Sequence, residues 1–321
     1  MLAQEKKSYG KKVAIVGVGY VGAGIAYALM LKDTASEIVL IDSKADVANA
    51  EMLDIRHGIS NMGRAKVYCG DYSDISDCDL IVVTAGRNRR PNETRLDMAS
   101  DNIKIAESTV SEMKKYYKQG VILVVSNPVD VITHYIAKEM NLPEGRVFGT
   151  GCILDSSRLI SLISEYVGLT PEFISATIVG EHGNSQVALW DEVKVSNIPF
   201  DEFCNAENLV CDAETKEKMA KKVLTMGTEI IGGKGKTYYG ISTCVCYLAD
   251  AILNKRCITA CVSSSLAGKK IGENVTLSLP SLVDGNGVKL VLPIDISEKE
   301  KIHLKNSAEQ IKNTIKLCGI E

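Results

Sequence analysis

Residues 12–22 read KVAIVGVGYVG. The first part is a short apolar run rich in β-branched residues, which suits a buried strand. The second part, GVGYVG at 17–22, fits G-x-G-x-x-G and opens onto an Ala/Leu/Met-rich helical stretch that runs to about Asp33. Alone, that glycine pattern is a weak signal. Here a strand precedes it, a helix follows it, and a second apolar run, EIVLID at 37–42, ends in Asp42, 20 residues after Gly22. That context is the dinucleotide-binding fingerprint. Gly17 permits the tight turn, Gly19 lets the main chain approach a pyrophosphate, and Gly22 lets helix and strand pack closely, with the helix N-terminus facing the negative charge. Asp42 accepts hydrogen bonds from the adenosine ribose and repels a 2′-phosphate, so NAD is expected rather than NADP. The bland alternative is a Gly-rich turn with no ligand.

The same alternation continues. A helix is predicted at about 45–57, a strand at 79–84 (DLIVVT), a long arginine-rich loop at 86–95 leading into a helix to about Lys118, and a strand at 121–125 (VILVV) that closes the series before Asn127-Pro128. Apolar strands with helices between them mean a parallel sheet covered on both faces. The second half is mixed. It predicts helices near 152–168, 215–231 and 240–254, a strand near 173–179, strands around 257–265, 275–283 and 288–292, turns at Gly268 and Gly272, and a last helix at about 297–317. The expected fold is α/β: a Rossmann-type NAD-binding domain over 1–150, then a mixed α+β substrate domain over 151–321.

At 321 residues the chain is long enough for about two domains and a large core. With 37 basic and 40 acidic side chains the net charge is −3, which argues against a nucleic-acid partner. No apolar run is long enough to span a membrane and the start, MLAQEKKSYGKK, has no signal-peptide core, so no membrane partner and a cytoplasmic location are expected. The 10 cysteines include no C-x-x-C, and with 4 scattered histidines (His57, His134, His182, His303) they read as buried apolar side chains, not metal ligands. GKGKT at 233–237 resembles the end of a P-loop, but position 230 is Ile230 where that loop needs glycine.

Three segments carry candidate chemistry. In GTGCILDSSR (149–158), Asp155 and Arg158 are three apart and share a helix face. In IVGEHGNS (178–185), His182 sits in a Gly-flanked loop after a strand, and RNRRPNETR (87–95) brings four arginines. Singly they are an ion pair, a loop histidine and a solvated face. Behind a dinucleotide fingerprint they fit one reaction. Hydride transfer to a 2-keto acid needs a proton donor with a pKa near 7, which histidine supplies. The imidazole needs an orienting carboxylate. The substrate carboxylate wants a bidentate arginine, and the developing alkoxide a further cation.

At this point the chain resembles the lactate/malate dehydrogenase family over nearly its whole length. GVGYVG, VTAG (83–86), ETRLD (93–97), VVSNPVD (124–130), GTGCILDSSR, VGEHGNS and GKGKTYYG (233–240) fall in the family's order. VGEHGNS and GKGKTYYG look lactate-type. The resemblance implies an NAD-dependent oxidoreductase of fermentation or glycolysis, typically a homotetramer or homodimer, acting on a small 2-keto or 2-hydroxy acid. It implies His182 as proton donor and acceptor, Asp155 as its orienting partner, Arg158 on the substrate carboxylate and Arg95 polarising the carbonyl from a closing loop. Asn127 would contact substrate and cofactor, and Thr237 would line the pocket. On the cofactor side the matching positions are Gly17, Gly19, Val21, Gly22, Asp42, Tyr72, Gly86, Ser108, Val125 and Asn127.

Two positions depart from the lactate pattern. Six residues before Arg95, where lactate enzymes usually carry glutamine and malate enzymes arginine, stands Arg89. Lactate remains the expected substrate and malate the alternative. Bacterial lactate enzymes activated by fructose 1,6-bisphosphate resemble one another in an arginine two residues after the substrate arginine and a histidine seven before the catalytic one. Here these are Ile160 and Ser175, so no such activation is expected. Two rival classes fit less well. A non-catalytic NAD-binding regulator leaves Asp155, Arg158, His182 and Arg95 unexplained. An NAD-dependent glycosidase would need a metal-binding cysteine where Ser126 stands.

Overall fold

The computed structural model describes residues 11–62, 64–88, 90 and 93–321, leaving aside the side chains of Ser60, Met62 and Arg95. Arg89 and the Arg95 side chain, both singled out above, lie outside the described residues.

The first part of the chain runs β1 (Lys12–Val16), α1 (Tyr20–Leu31), β2 (Glu37–Ile41), α2 (Ala45–Met62), β3 (Lys66–Cys69), β4 (Leu80–Val83), α3 (Arg95–Tyr116), β5 (Val121–Val124), α4 (Val129–Met140) and β6 (Val147–Gly149). Its strands pair in parallel in the order β3-β2-β1-β4-β5-β6, the doubly wound arrangement. Successive residues of β1 face opposite layers. Ala14 and Val16 join the core under α3 and α4, whereas Val13 and Ile15 join the core with α1, α2 and residues 244–253. Both faces are covered, which is why these strands read as continuous apolar runs.

Then follow α5 (Ile153–Val167), five two-residue strands β7 (Ile174–Ser175), β8 (Ile178–Val179), β9 (Val187–Ala188), β10 (Lys194–Val195) and β11 (Ile198–Pro199), α6 (Phe200–Ala206), α7 (Ala213–Lys234), α8 (Tyr239–Leu253), β12 (Ile258–Ser264), α9 (Ser265–Lys270), β13 (Leu277–Asp284), β14 (Gly287–Val291) and α10 (Glu298–Leu317). Strands β12, β13 and β14 extend the first sheet to nine strands, joined antiparallel to β6 where Ser263 faces Gly149. One sheet therefore crosses position 150.

Four sequence expectations are corrected. The parallel series does not close at β5, because α4 and β6 follow. The α4 sequence VDVITHYIAKEM is rich in β-branched residues and so gives a weak helical signal. Strand β3 is not evident from the sequence because it is the edge strand and only partly buried, so KVYC lacks the continuous apolar run of the equally short β4 and β5. The strand expected over 173–179 is two short ones, since β7 pairs with β10 and β8 with β9. Gly268 lies in α9, not in a turn. A Cβ there would stand 1.9 Å from the Val275 carbonyl oxygen, so the glycine answers a close approach of the main chain.

Candidate active site

The sheet order reverses between β1 and β4, and the Gly-rich turn sits at that switch point. Gly17 has φ +96°, and a Cβ on it would lie 2.5 Å from the Ala85 amide nitrogen. A Cβ on Gly22 would meet the Gly17 carbonyl oxygen at 2.1 Å. Gly19 is the opposite case, with nothing within 4 Å of its would-be Cβ. It is also the N-cap of α1 and gives no side-chain cap, which leaves the first helical amides available to an anion. Asp42, just past β2, is fixed beside this turn by accepting from the Val18 amide at 2.7 Å and the Lys44 amide at 2.8 Å. Its remaining lone pairs suit ribose hydroxyls. Open space over Gly19, uncapped amides and an oriented carboxylate fit a dinucleotide without a 2′-phosphate.

The other cofactor-side expectations fall into place unevenly. Half-buried Val21 lies in α1, next to Gly22. Tyr72 is half-buried, and its hydroxyl, raised by burial, senses both Thr109 on α3 and the Asp42 charge. Buried Val125 follows β5, and exposed Gly86 lies against Asn102. Ser108 is exposed on α3, and no described contact ties it to the groove.

Two of the catalytic candidates, Asp155 and His182, converge with the substrate candidate Arg158. Asp155 lies in the first turn of α5 with only 3% of its side chain exposed. Its Oδ2 is 2.5 Å from His182 Nδ1, and its Oδ1 accepts from Arg158 Nη1 at 3.0 Å. The three-residue spacing puts Asp155 and Arg158 on one helix face, and the carboxylate joins both partners. The His182 loop leaves β8 at Gly180 (φ +91°), which exchanges main-chain hydrogen bonds with Ser278 at 2.9 Å. Glu181 N donates to Ser307 Oγ at 2.6 Å, and His182 N donates to Asp130 Oδ2 at 2.7 Å. The main chain leading into the imidazole is thus held at three successive residues.

Electrostatics follow from this geometry. Burial alone would pull the His182 pKa down, but the Asp155 charge and hydrogen bond, with help from Asp130 and against Arg158, raise it above 6.5. Burial would push Asp155 up, yet His182 and Arg158 hold it below the ordinary 3.8. His182 keeps 26% of its side chain exposed. With Nδ1 committed to Asp155, Nε2 is the ring nitrogen left for a substrate. Arg158 spends one N–H on Asp155 and retains others for a carboxylate.

Around the arginine loop the described residues make a frame. Arg87 Nη1 donates to Glu93 Oε2 at 2.6 Å and Nε donates to Asp101 Oδ2 at 2.9 Å. Asn102 ties the start of the loop to the segment after β5, accepting from the Arg87 amide at 2.8 Å and donating to the Asn127 carbonyl at 2.6 Å. Asn127 itself is exposed at the end of β5. Thr237 is half-buried between α7 and α8, and no described contact joins it to His182. The α7 helix does reach the site, since a Cβ on Gly227 would stand 3.4 Å from Arg158 Nη2. Ile160 and Ser175 line one cavity of about 500 Å³, and none of its lining residues is charged.

Sequence reasoning passed over Asp130, Ser263, Asn102 and Glu93. Asp130 was within reach, as the last residue of the quoted VVSNPVD. Glu93 was too, as the first residue of ETRLD and six residues from its partner Arg87, whereas Asn102 and Ser263 have partners too far along the chain for a local pattern to reveal.

Comparisons with known proteins bear on the family, the fold and the cofactor. Residues 11–149 match the family model of the lactate/malate dehydrogenase NAD-binding domain, and residues 152–319 that of the family's α/β C-terminal domain. NAD is therefore the dinucleotide of the groove. The chain is 40% identical over 309 residues to an L-lactate dehydrogenase of Thermoanaerobacterium saccharolyticum, covering 96% of this chain and 99% of that one. It is 38% identical over 304 residues to an L-lactate dehydrogenase of Clostridium perfringens, covering 95% and 96%. The ligand-bound minor L-lactate dehydrogenase of Enterococcus mundtii superposes with a TM-score of 0.92 at 35% identity, covering 97% of this chain and 98% of that one. The two matched models leave only the ends and a two-residue seam uncovered, and the chain belongs to the lactate/malate dehydrogenase family.

Proposed function

We propose that the protein is an NAD-dependent L-lactate dehydrogenase, interconverting pyruvate and L-lactate. The observation that carries this reading is the His182–Asp155–Arg158 cluster, with Nδ1 bound and a cation three residues from the anion. NADH, when bound, supplies the hydride that reduces the keto carbon. The chain's own residues do the rest. Arg158 grips the substrate carboxylate through the N–H groups Asp155 leaves free. His182, held as imidazolium by Asp155, gives its Nε2 proton to the carbonyl oxygen as that oxygen gains charge. In the reverse direction the neutral ring takes the proton back. Arg95 supports the developing charge, and Asn127 and Thr237 border the substrate. Arg89 is the residue behind the malate alternative, which the L-lactate names of the relatives do not favour; those names support pyruvate. The resemblance also supports a cytoplasmic homotetramer or homodimer. No helix of the described residues is long and apolar enough to cross a membrane.

The experiment is steady-state kcat/KM for pyruvate against oxaloacetate, read at the NADH band. A higher value with pyruvate is expected, and a higher value with oxaloacetate would overturn the reading. His182→Asn is expected to lower kcat by about 10² or more, the scale of lost acid–base catalysis, while NADH still binds.

A further inference from the structure

Asp130 lies in the first turn of α4, buried, three residues after Asn127. It is tied to three separate parts of the second half. Oδ2 accepts from the His182 amide at 2.7 Å, Oδ1 accepts from Ser263 Oγ on β12 at 2.6 Å, and its carbonyl accepts from Thr276 Oγ1 at 2.5 Å. An asparagine here could accept from the same amide and donate to the same hydroxyl with no charge to bury. A buried carboxylate is costly unless its charge is used. Asp155 takes the ring side of His182, and Asp130 takes the main-chain side.

We propose that Asp130 is a positioning residue for the proton transfer: its anion sets the His182 main chain against Asp155 and favours the imidazolium over the neutral ring. This rests on the acid–base role of His182 proposed above. The groups facing His182 divide by sign. On α5, Asp155 favours the imidazolium and Arg158 opposes it. Asp130 on α4 favours it, and Glu181 beside the ring raises Asp130 in turn. The thiols of Cys152 and Cys261 interact with Asp130 and Asp155, and burial pushes both well up, so they stay neutral. Burial raises Asp130 to about 6 against its hydrogen bonds from Ser263 and the His182 amide, so it is largely ionised above neutral pH.

The test reads the His182 proton directly. Diethyl pyrocarbonate modifies the neutral imidazole, and a His182→Asn blank subtracts His57, His134 and His303. The pH midpoint of the His182 reaction is measured in the wild type, Asp130→Asn and Ser263→Ala. Asp130→Asn is expected to lower the midpoint by about 1 unit, the lower end of what loss of one nearby opposite charge does. The alkaline fall of kcat/KM for pyruvate should move by the same amount. Ser263→Ala removes the donor that favours ionised Asp130, and should lower the midpoint by less. An unmoved midpoint in Asp130→Asn overturns the proposal. If that variant does not fold, Ser263→Ala decides: a lowered midpoint supports the proposal and an unmoved one overturns it. The readout needs no turnover, so a wild type that fails to reduce pyruvate sinks the lactate reading and leaves this measurement standing.

Discussion

Arg87 and Glu93 close the base of the arginine loop on each other, with Nη1 2.6 Å from Oε2, while Glu93 Oε2 also accepts from the Arg90 amide at 2.8 Å. Arg87 is thus turned toward the protein's own carboxylates. The Arg87 hydrogen bond pulls the Glu93 pKa down to about 2, so the pair persists across the neutral range. Glu93→Gln should lower thermal stability only modestly: the two side chains are largely covered, 18% and 13% exposed, but Arg87 keeps Asp101 as a partner and glutamine still offers an acceptor. It should change kcat and KM for pyruvate together, severalfold, because it frees the segment that carries Arg89 toward Arg95. A lower Tm with normal kinetics would assign the pair to the fold alone.

The Asp155–His182 pair predicts a pH window for stability. His182 has its folded pKa raised above 6.5, so its contribution is complete below 6.5 and is lost as pH rises through the raised value. Asp155 is held below 3.8, so its contribution is present above 3.8 and is lost as pH falls through the lower value. The Tm deficit of Asp155→Asn should therefore be largest between these two reference values and shrink in alkaline buffer. Thermal melts across pH check it, and a deficit that grows with pH would contradict it.

Fructose 1,6-bisphosphate should not activate the enzyme. Ile160 and Ser175 line the same uncharged cavity, where nothing offsets the desolvation of two phosphates. Kinetics with millimolar effector test this. A severalfold drop in KM for pyruvate would point to a cationic site elsewhere.

Arg89→Gln should move the specificity ratio toward pyruvate. Pyruvate offers a methyl where oxaloacetate offers a carboxylate, and a charged hydrogen bond is worth roughly 1.5–3 kcal/mol, or about 10- to 100-fold. An unchanged ratio would mean that Arg89 does not read the substrate.

What the sequence displayed was whatever chemistry recurs at short spacing. Gly17, Gly19 and Gly22 gave away the turn, and Asp155 and Arg158 their shared face. His182 taken alone reads as a Gly-flanked histidine, and its role comes from the dinucleotide context and the family resemblance. Its pairing with Asp155 spans 27 residues and depends on how α5 and the loop after β8 meet. Asp130 reaches partners 52 and 133 residues away, which no periodicity encodes. Strand β3 and helix α4 are hidden for a different reason: one is a partly exposed edge strand with no continuous apolar run, and the other is rich in β-branched residues that local preference would place in a strand. Thr237 and Ser108 rest on resemblance alone.

The pairing of Ser263 with Gly149 bears on modularity. A fragment ending at 150 would keep its glycine turn and five complete strand pairings, but β6 would present bare N–H and C=O groups where β12 belongs. Such an open edge recruits other chains. The nucleotide-binding half is therefore a poor candidate for separate expression: it should precipitate or self-associate unless the three-stranded 258–291 segment is grafted back onto it.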